Sequence, residues 1–138
     1  MKPTLIPGLV SEFRYVVPES KTVPALYPEA AEFQQMPAVL ATRFLVGLLE
    51  WACIRAIEPH LDWPVEMTLG THIDVSHSAA TPAGLEVTVK VALVRVEDRR
   101  LCFEVEAHDG IDLISKGRHE RYVIDRARFE AGVARKRA

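Results

Sequence analysis

The stretch Ala38–Glu58, AVLATRFLVGLLEWACIRAIE, decides the fold. Leu45, Leu48, Leu49, Ala52, Cys53, Ala56 and Ile57 recur at i, i+3 and i+4 spacing, which predicts an amphipathic helix with one continuous apolar stripe. Pro37 suits the first helical position, where its missing N–H is not needed, and Pro59 predicts the end. About 21 residues rising ~1.5 Å each give ~30 Å, enough to cross a small sheet. Gly47 inside this helix costs roughly 1 kcal/mol relative to Ala, so it predicts a place where another backbone comes close.

Downstream of the helix the period changes from 3.6 to 2. Met67–Ser78, Leu85–Glu97, Arg100–His108 and Asp112–Asp125 read as four strands. Leu85, Val87, Val89, Val91 and Leu93 alternate with Glu86, Thr88 and Lys90, and Leu101, Phe103, Val105 and Ala107 do the same against Arg100, Glu104 and Glu106. Thr81-Pro82-Ala83-Gly84, Glu97-Asp98-Arg99 and Asp109-Gly110 have turn chemistry, and such short connections predict antiparallel hairpins. Upstream, Leu9–Val17 reads as a first strand. Residues 18–37 hold Pro18, Pro24, Pro28 and Pro37 among Tyr27, Phe33 and Met36, too many prolines for a regular element and too apolar for a solvated linker, so they read as a lid-like loop. The expected class is α+β: a curved five-stranded antiparallel sheet wrapped round one long helix at 38–58, the hotdog arrangement. Hotdog subunits commonly pair with their sites near the interface, so a homodimer is expected by fold analogy.

At 138 residues the chain reads as a single domain, 1–138, large enough to bury a continuous core. A net charge of −2 argues against a duplex nucleic-acid partner, although residues 127–138 form a basic tail or solvated helix face. Cys53 and Cys102 form no framework and read as small hydrophobes of a reducing compartment. No signal-peptide pattern and no membrane-length apolar run is found, so a cytoplasmic location with no membrane partner is expected. No metal site is expected: His72 and Asp74 share a strand face but have no evident third ligand.

Five polar or small residues stand out against this framework. Glu50 interrupts an apolar run; it reads either as a carboxylate poised for base chemistry or as a helix glutamate paired with an arginine. Thr42 lies eight residues earlier, about 80° round the axis and ~12 Å along it, so the two converge only through a substrate or a third residue. Alone, it reads as structural. His77 falls on the apolar face of its strand with Ile73, Val75 and Ala79, either a satisfied core residue or an acid–base group. Gly70 marks a bulge or a place where the backbone meets a ligand, where its N–H suits an acyl oxygen. Arg121 in the last strand binds an anion or pairs internally; neither reading is favoured.

Together the residues resemble a known family. Tyr15-Val16-Val17-Pro18, Lys21-Thr22-Val23, Leu26-Tyr27-Pro28-Glu29, Glu32-Phe33, Val46-Gly47-Leu48-Leu49-Glu50-Trp51-Ala52-Cys53, Leu69-Gly70-Thr71, Ala79-Ala80-Thr81-Pro82, His108-Asp109-Gly110 and His119-Glu120-Arg121 resemble, in order, the fluoroacetyl-CoA thioesterases. The resemblance implies hydrolysis of a small acyl-CoA, with Thr42, Glu50 and His77 catalytic. It also implies the Gly70 amide near the acyl carbonyl, Arg121 near the acyl group and pantetheine arm, and an acyl pocket and lid of Val23, Leu26, Phe33 and Met36. No cofactor is implied, because coenzyme A is part of the substrate. Detoxification of an acyl-CoA poison follows if fluoroacetyl-CoA is the substrate. The family carries a second phenylalanine where this chain has Met36, a more flexible side chain. The rival expectation is a non-catalytic acyl-CoA or acyl-carrier binding protein using the same cleft. A hydratase ranks lower, because its Asp/His pair and glycine pattern are missing.

Overall fold

The computed structural model describes residues 1–137; Ala138, the end of the basic segment, lies outside them. Strand β1 spans Val10–Val16, short helix α1 Ala31–Gln34, the long helix α2 Thr42–Ile57, and strands β2 Glu66–Val75, β3 Glu86–Glu97, β4 Arg100–His108 and β5 Leu113–Asp125. Helix α3, Arg126–Ala134, closes the chain with a final 3-10 turn, Arg135–Arg137. The five strands form one antiparallel sheet in the order β1-β3-β4-β5-β2, so β1 and β2 are its edges. This is the hotdog arrangement that the periodicities predict.

The core lies where the helix stripe meets the inward positions of the sheet. Leu45, Leu48, Leu49, Ala52, Cys53 and Ile57 of α2 are buried against Val87, Val89, Val91 and Leu93 of β3, Leu101, Phe103 and Val105 of β4, and Ile114 and Val123 of β5. Each large side chain buried in this way contributes about 1.5–3 kcal/mol, which fixes the rotational phase of α2 and with it the direction of Glu50.

Three expectations need correction. The helix begins at Thr42 and not at Ala38, leaving Pro37 outside it. Val39 and Leu40 are recruited into β-type bridges instead: Leu40 N–H donates to the Thr81 carbonyl at 2.7 Å, and Val39 accepts from Val23 N–H at 2.9 Å. Among the described residues, and outside the helix's own backbone, a Cβ on Gly47 would meet nothing within 4 Å, so no close backbone requires that glycine. Strand β2 stops at Val75, short of His77, after a register shift between Gly70 and His72. The basic segment is largely helical: Asp125 caps α3 by accepting from Arg128 N–H at 3.0 Å. The lid-like loop holds two 3-10 turns, Glu19–Lys21 and Val23–Ala25, besides α1.

Candidate active site

Alternation along β5 turns His119, Arg121 and Val123 inward, toward α2. A guanidinium that is 3% exposed is costly unless its protons are met. Here Nε donates to Thr68 Oγ1 at 2.7 Å, Nη2 to the Thr68 carbonyl at 2.8 Å, and Nη1 to Glu50 Oε2 at 2.9 Å. Nη1 also lies 3.1 Å from His119 Nε2. His119 Nδ1 is 2.7 Å from the His72 carbonyl and must donate to it, so Nε2 is the accepting nitrogen. Burial, reinforced by Arg121, pushes the His119 pKa below its ordinary value against the opposing pull of the His72 carbonyl, Glu50 and Glu120.

Glu50 is paired with an arginine through Oε2, which leaves Oε1 open to chemistry. The carboxylate is 37% exposed, and Oε1 makes no hydrogen bond to any described residue. It lines a cavity of about 360 Å³ with Val46, Gly70, Thr71, His72, Ile73 and His119. Gly70 is required by packing: a Cβ there would lie 2.7 Å from Glu50 Oε2 and 3.2 Å from His119 Cε1. The shift in register, which skips Thr71, is the bulge that the glycine predicts. Arg121 pairs internally, the second of its two readings. Behind the site, burial pushes the Cys53 thiol up to about 12, so it is no nucleophile at neutral pH.

Thr42 and His77 meet at the other end of α2. Thr42 Oγ1 lies 2.8 Å from His77 Nδ1, while His77 Nε2 is buried without a partner. The His77 segment extends beyond β2 but stays on β5, because Ser76 N–H donates to the Lys116 carbonyl and Ser78 N–H to that of Ile114. Burial pushes the His77 pKa below its ordinary value, against a smaller opposing effect of the Ala79 backbone. The lid packs beside this pair. Ala41 N–H donates to the Lys21 carbonyl, and Arg43 lies over the Tyr27 ring, which stacks on Phe33 at 5.6 Å. Val23, Leu26 and Phe33 are half-buried, while Met36 is 49% exposed.

One chain therefore presents two half-sites about 12 Å apart along α2. Thr42 joins His77 and the lid; Glu50 joins Arg121, Gly70 and the 360 Å³ cavity. Sequence reasoning gave no role to His119, Thr68 or Asp109. An inward His-x-Arg on a strand with buried Val123 is a readable signal, since two polar residues on an apolar face have to satisfy each other. Asp109 is buried, accepting from Thr81 Oγ1 at 2.9 Å and from the amides of Ile111 and Asp112. Thr81 in turn holds Leu40 through its carbonyl, so this pair braces the entry to α2. Among the described residues no group of three or more His, Cys, Asp or Glu side chains is placed to hold a metal, and His72 and Asp74 are exposed.

Comparison with known proteins follows the same lines. Residues 19–127 match the model of a family described as fluoroacetyl-CoA-specific thioesterase. A fluoroacetyl-CoA thioesterase of Streptantibioticus cattleyicolor is 56% identical over 122 residues, 88% of this chain and 87% of that protein. A solved structure of a fluoroacetyl-CoA thioesterase superposes with a TM-score of 0.91 at 53% identity, covering 94% of this chain and 95% of that one. A thioesterase superfamily member from Thermus thermophilus superposes at 0.85 with 29% identity, covering 99% and 96% of the two chains.

Proposed function

The chain belongs to the family of fluoroacetyl-CoA-specific thioesterases, and from that premise we propose that it hydrolyses a short-chain acyl-CoA thioester, fluoroacetyl-CoA first among the candidates, to the free acid and CoA. The observation that carries the reading is the state of Glu50. Its Oε2 is fixed on buried Arg121, its Oε1 is unpartnered among the described residues, and it lines a cavity against Gly70. Hydrolysis forms a C–O bond at the thioester carbon, breaks the C–S bond and returns a proton to the departing thiolate. Either Glu50 Oε1 attacks the thioester carbon, giving a mixed anhydride that water then hydrolyses, or it takes a proton from the water that attacks. The Gly70 N–H meets the charge that develops on the acyl oxygen. Thr42 and His77 handle the protons, with the His77 ring kept neutral by burial and able to accept one. Val23, Leu26, Phe33 and Met36 enclose the acyl group, and Arg121 holds Glu50 beside it. The reading needs no metal or other cofactor.

A homodimer completes the site. Strand β2 is an edge of the sheet, and its residues Thr71, His72, Ile73 and Asp74 are exposed beside the Glu50 cavity. An unpaired edge is a template for a second strand. Two copies joined there bring half-sites of different protomers to one substrate. Mixed refolding of inactive Glu50→Gln and Thr42→Val proteins then restores activity; no recovery would place both half-sites in one protomer. We place the enzyme in the cytoplasm, where its CoA substrates are made and where its two unpaired cysteines stay reduced; no described helix is long and apolar enough to cross a membrane. Removal of an acyl-CoA poison is its physiological role on this reading.

The test is a thiol-release assay over a panel of acyl-CoAs, with Glu50→Ala as background. Turnover of fluoroacetyl-CoA or another short acyl-CoA well above that background is expected. Binding without turnover, unchanged in Glu50→Gln, would instead make the protein an acyl-CoA carrier. A single turnover in ¹⁸O-water tests the first route: label in the Glu50 carboxylate shows that the carboxylate attacked and that water opened the anhydride at the enzyme's own carbonyl.

A further inference from the structure

We infer that His119 is a positioning residue for thioester hydrolysis: a neutral imidazole that joins the backbone bulge presenting Gly70 to the guanidinium that orients Glu50. The inference rests on the proposed role of Glu50 in that hydrolysis. Its basis is a count of protons. Arg121 Nη1 carries two; one goes to Glu50 Oε2 at 2.9 Å and the other to His119 Nε2 at 3.1 Å. Nε2 can accept because the single proton of the neutral ring sits on Nδ1 and is donated to the His72 carbonyl at 2.7 Å. The ring thus touches the bulge on both sides. It bonds to His72, which follows the register shift, and its Cε1 would stand 3.2 Å from a Cβ on Gly70, which precedes it.

Packing alone does not account for a histidine here. The side chain is 2% exposed, in register with Ile73 of β2 and Phe103 of β4, where an apolar residue would be the cheaper occupant. The charged groups facing it are Glu50 from α2 and Arg121 from β5, while Glu120 acts on it from the opposite face of β5. A second ring proton would point at Arg121 Nη1, setting donor against donor and cation against cation at 3.1 Å. With an acceptor at Nε2, the guanidinium has one orientation that satisfies Thr68, Glu50 and His119 together. Without it, one Nη1 proton is orphaned, the guanidinium turns, Glu50 Oε2 follows, and the bulge loses its brace.

Two variants and one spectrum test this. His119→Phe keeps a ring of similar size and removes both polar contacts; His119→Gln restores a carbonyl acceptor within reach of Nη1. In the acyl-CoA assay, His119→Phe is expected to lower kcat about 100-fold, the cost of misplacing reacting groups by roughly 1 Å. KM should stay within about threefold, and His119→Gln should recover at least about a tenth of the wild-type kcat. A His119→Phe enzyme within about threefold of wild type, or a His119→Gln enzyme no better than His119→Phe, overturns the proposal. If His119→Phe does not fold, the imidazole nitrogen spectrum of the wild type decides. A protonated Nδ1 and bare Nε2 at neutral pH are expected, and a bare Nδ1 or a doubly protonated ring overturns the proposal. A wild type inert toward every short acyl-CoA is a different failure: it removes hydrolysis itself, and this role with it, while the ring spectrum stays as described.

Discussion

Glu50 Oε2 occupies the space that a side chain on Gly70 would take: a Cβ built there lies 2.7 Å from that oxygen. Real Cβ atoms do not come so close, so Gly70→Ala drives the carboxylate off Arg121 Nη1. The strand pairs with β5 through the bulge and is otherwise undisturbed. Gly70→Ala is therefore expected to fold, with kcat about 100-fold down through displacement of the reacting carboxylate. A double-mutant cycle with Glu50→Asp, whose shorter side chain leaves room for the methyl, should show strong coupling. Additive losses in that cycle would mean that Gly70 acts on the substrate alone.

The 2.8 Å contact between Thr42 Oγ1 and His77 Nδ1 yields a second expectation. Thr42 is the first residue of α2, and its own side chain caps nothing; the cap position is Ala41. Thr42→Val, which keeps the shape and deletes the hydroxyl, should leave the melting temperature nearly unchanged and reduce kcat by about 10²–10⁴-fold if the pair moves protons. Thr42→Ser keeps the hydroxyl and should retain most of the rate. Equal activity in both variants would reduce the contact to a structural hydrogen bond.

The framework was legible because two periodicities and their turns each allow one answer. The α2 stripe from Leu45 to Ile57 and the alternation of β3 and β4 are patterns of burial, and burial set the fold. What failed was governed by contacts distant in sequence. Pro37 looked like a helix start, but Leu40 was claimed by Thr81, and no local signal announces such a partner. For Glu50, periodicity showed a carboxylate in an apolar run but not its partner; the arginine that holds it lies 71 residues away on β5. Thr42, Glu50 and His77 were expected to act together, and one chain places them in two half-sites. His119 was quoted only within its motif and given no role: spacing brings it inward beside Arg121, but the tautomer set by a backbone carbonyl is not encoded there.

Stability should depend on pH through the two inward histidines. Burial depresses the pKa of both His77 and His119 below the ordinary value of 6.5. The unfolded chain then binds protons more readily than the native one as pH falls below that value. Stability from these groups is present above the unfolded pKa and lost as pH drops through the lower folded values. The melting temperature is expected to fall between about pH 7 and pH 5, a window in which most carboxylates have yet to titrate. His119→Gln should flatten that slope. A melting temperature that rises in this window, or a slope unaltered by His119→Gln, would contradict the burial of a neutral ring.

On the proposed reading, selectivity for fluorine is expected to turn on Met36. Fluoroacetyl and acetyl groups differ by one small atom, so a pocket separates them only if its walls are fixed and exclude water. Tyr27 and Phe33 supply a stacked aromatic pair in the lid, centroids 5.6 Å apart, but Met36 is 49% exposed and unbranched, with three rotatable bonds beyond Cα. Met36→Phe adds a planar ring with two torsions, able to pack beside Phe33. It should raise the ratio of kcat/KM for fluoroacetyl-CoA over acetyl-CoA by about 10-fold, the low end of what one small group in an apolar pocket is worth. Because the substitution leaves Glu50 and Arg121 themselves unchanged, the acetyl-CoA rate should change little. An unchanged ratio would show that lid shape does not set the preference and would move the search for selectivity to the Glu50 cavity, where Val46 and Ile73 are the apolar walls.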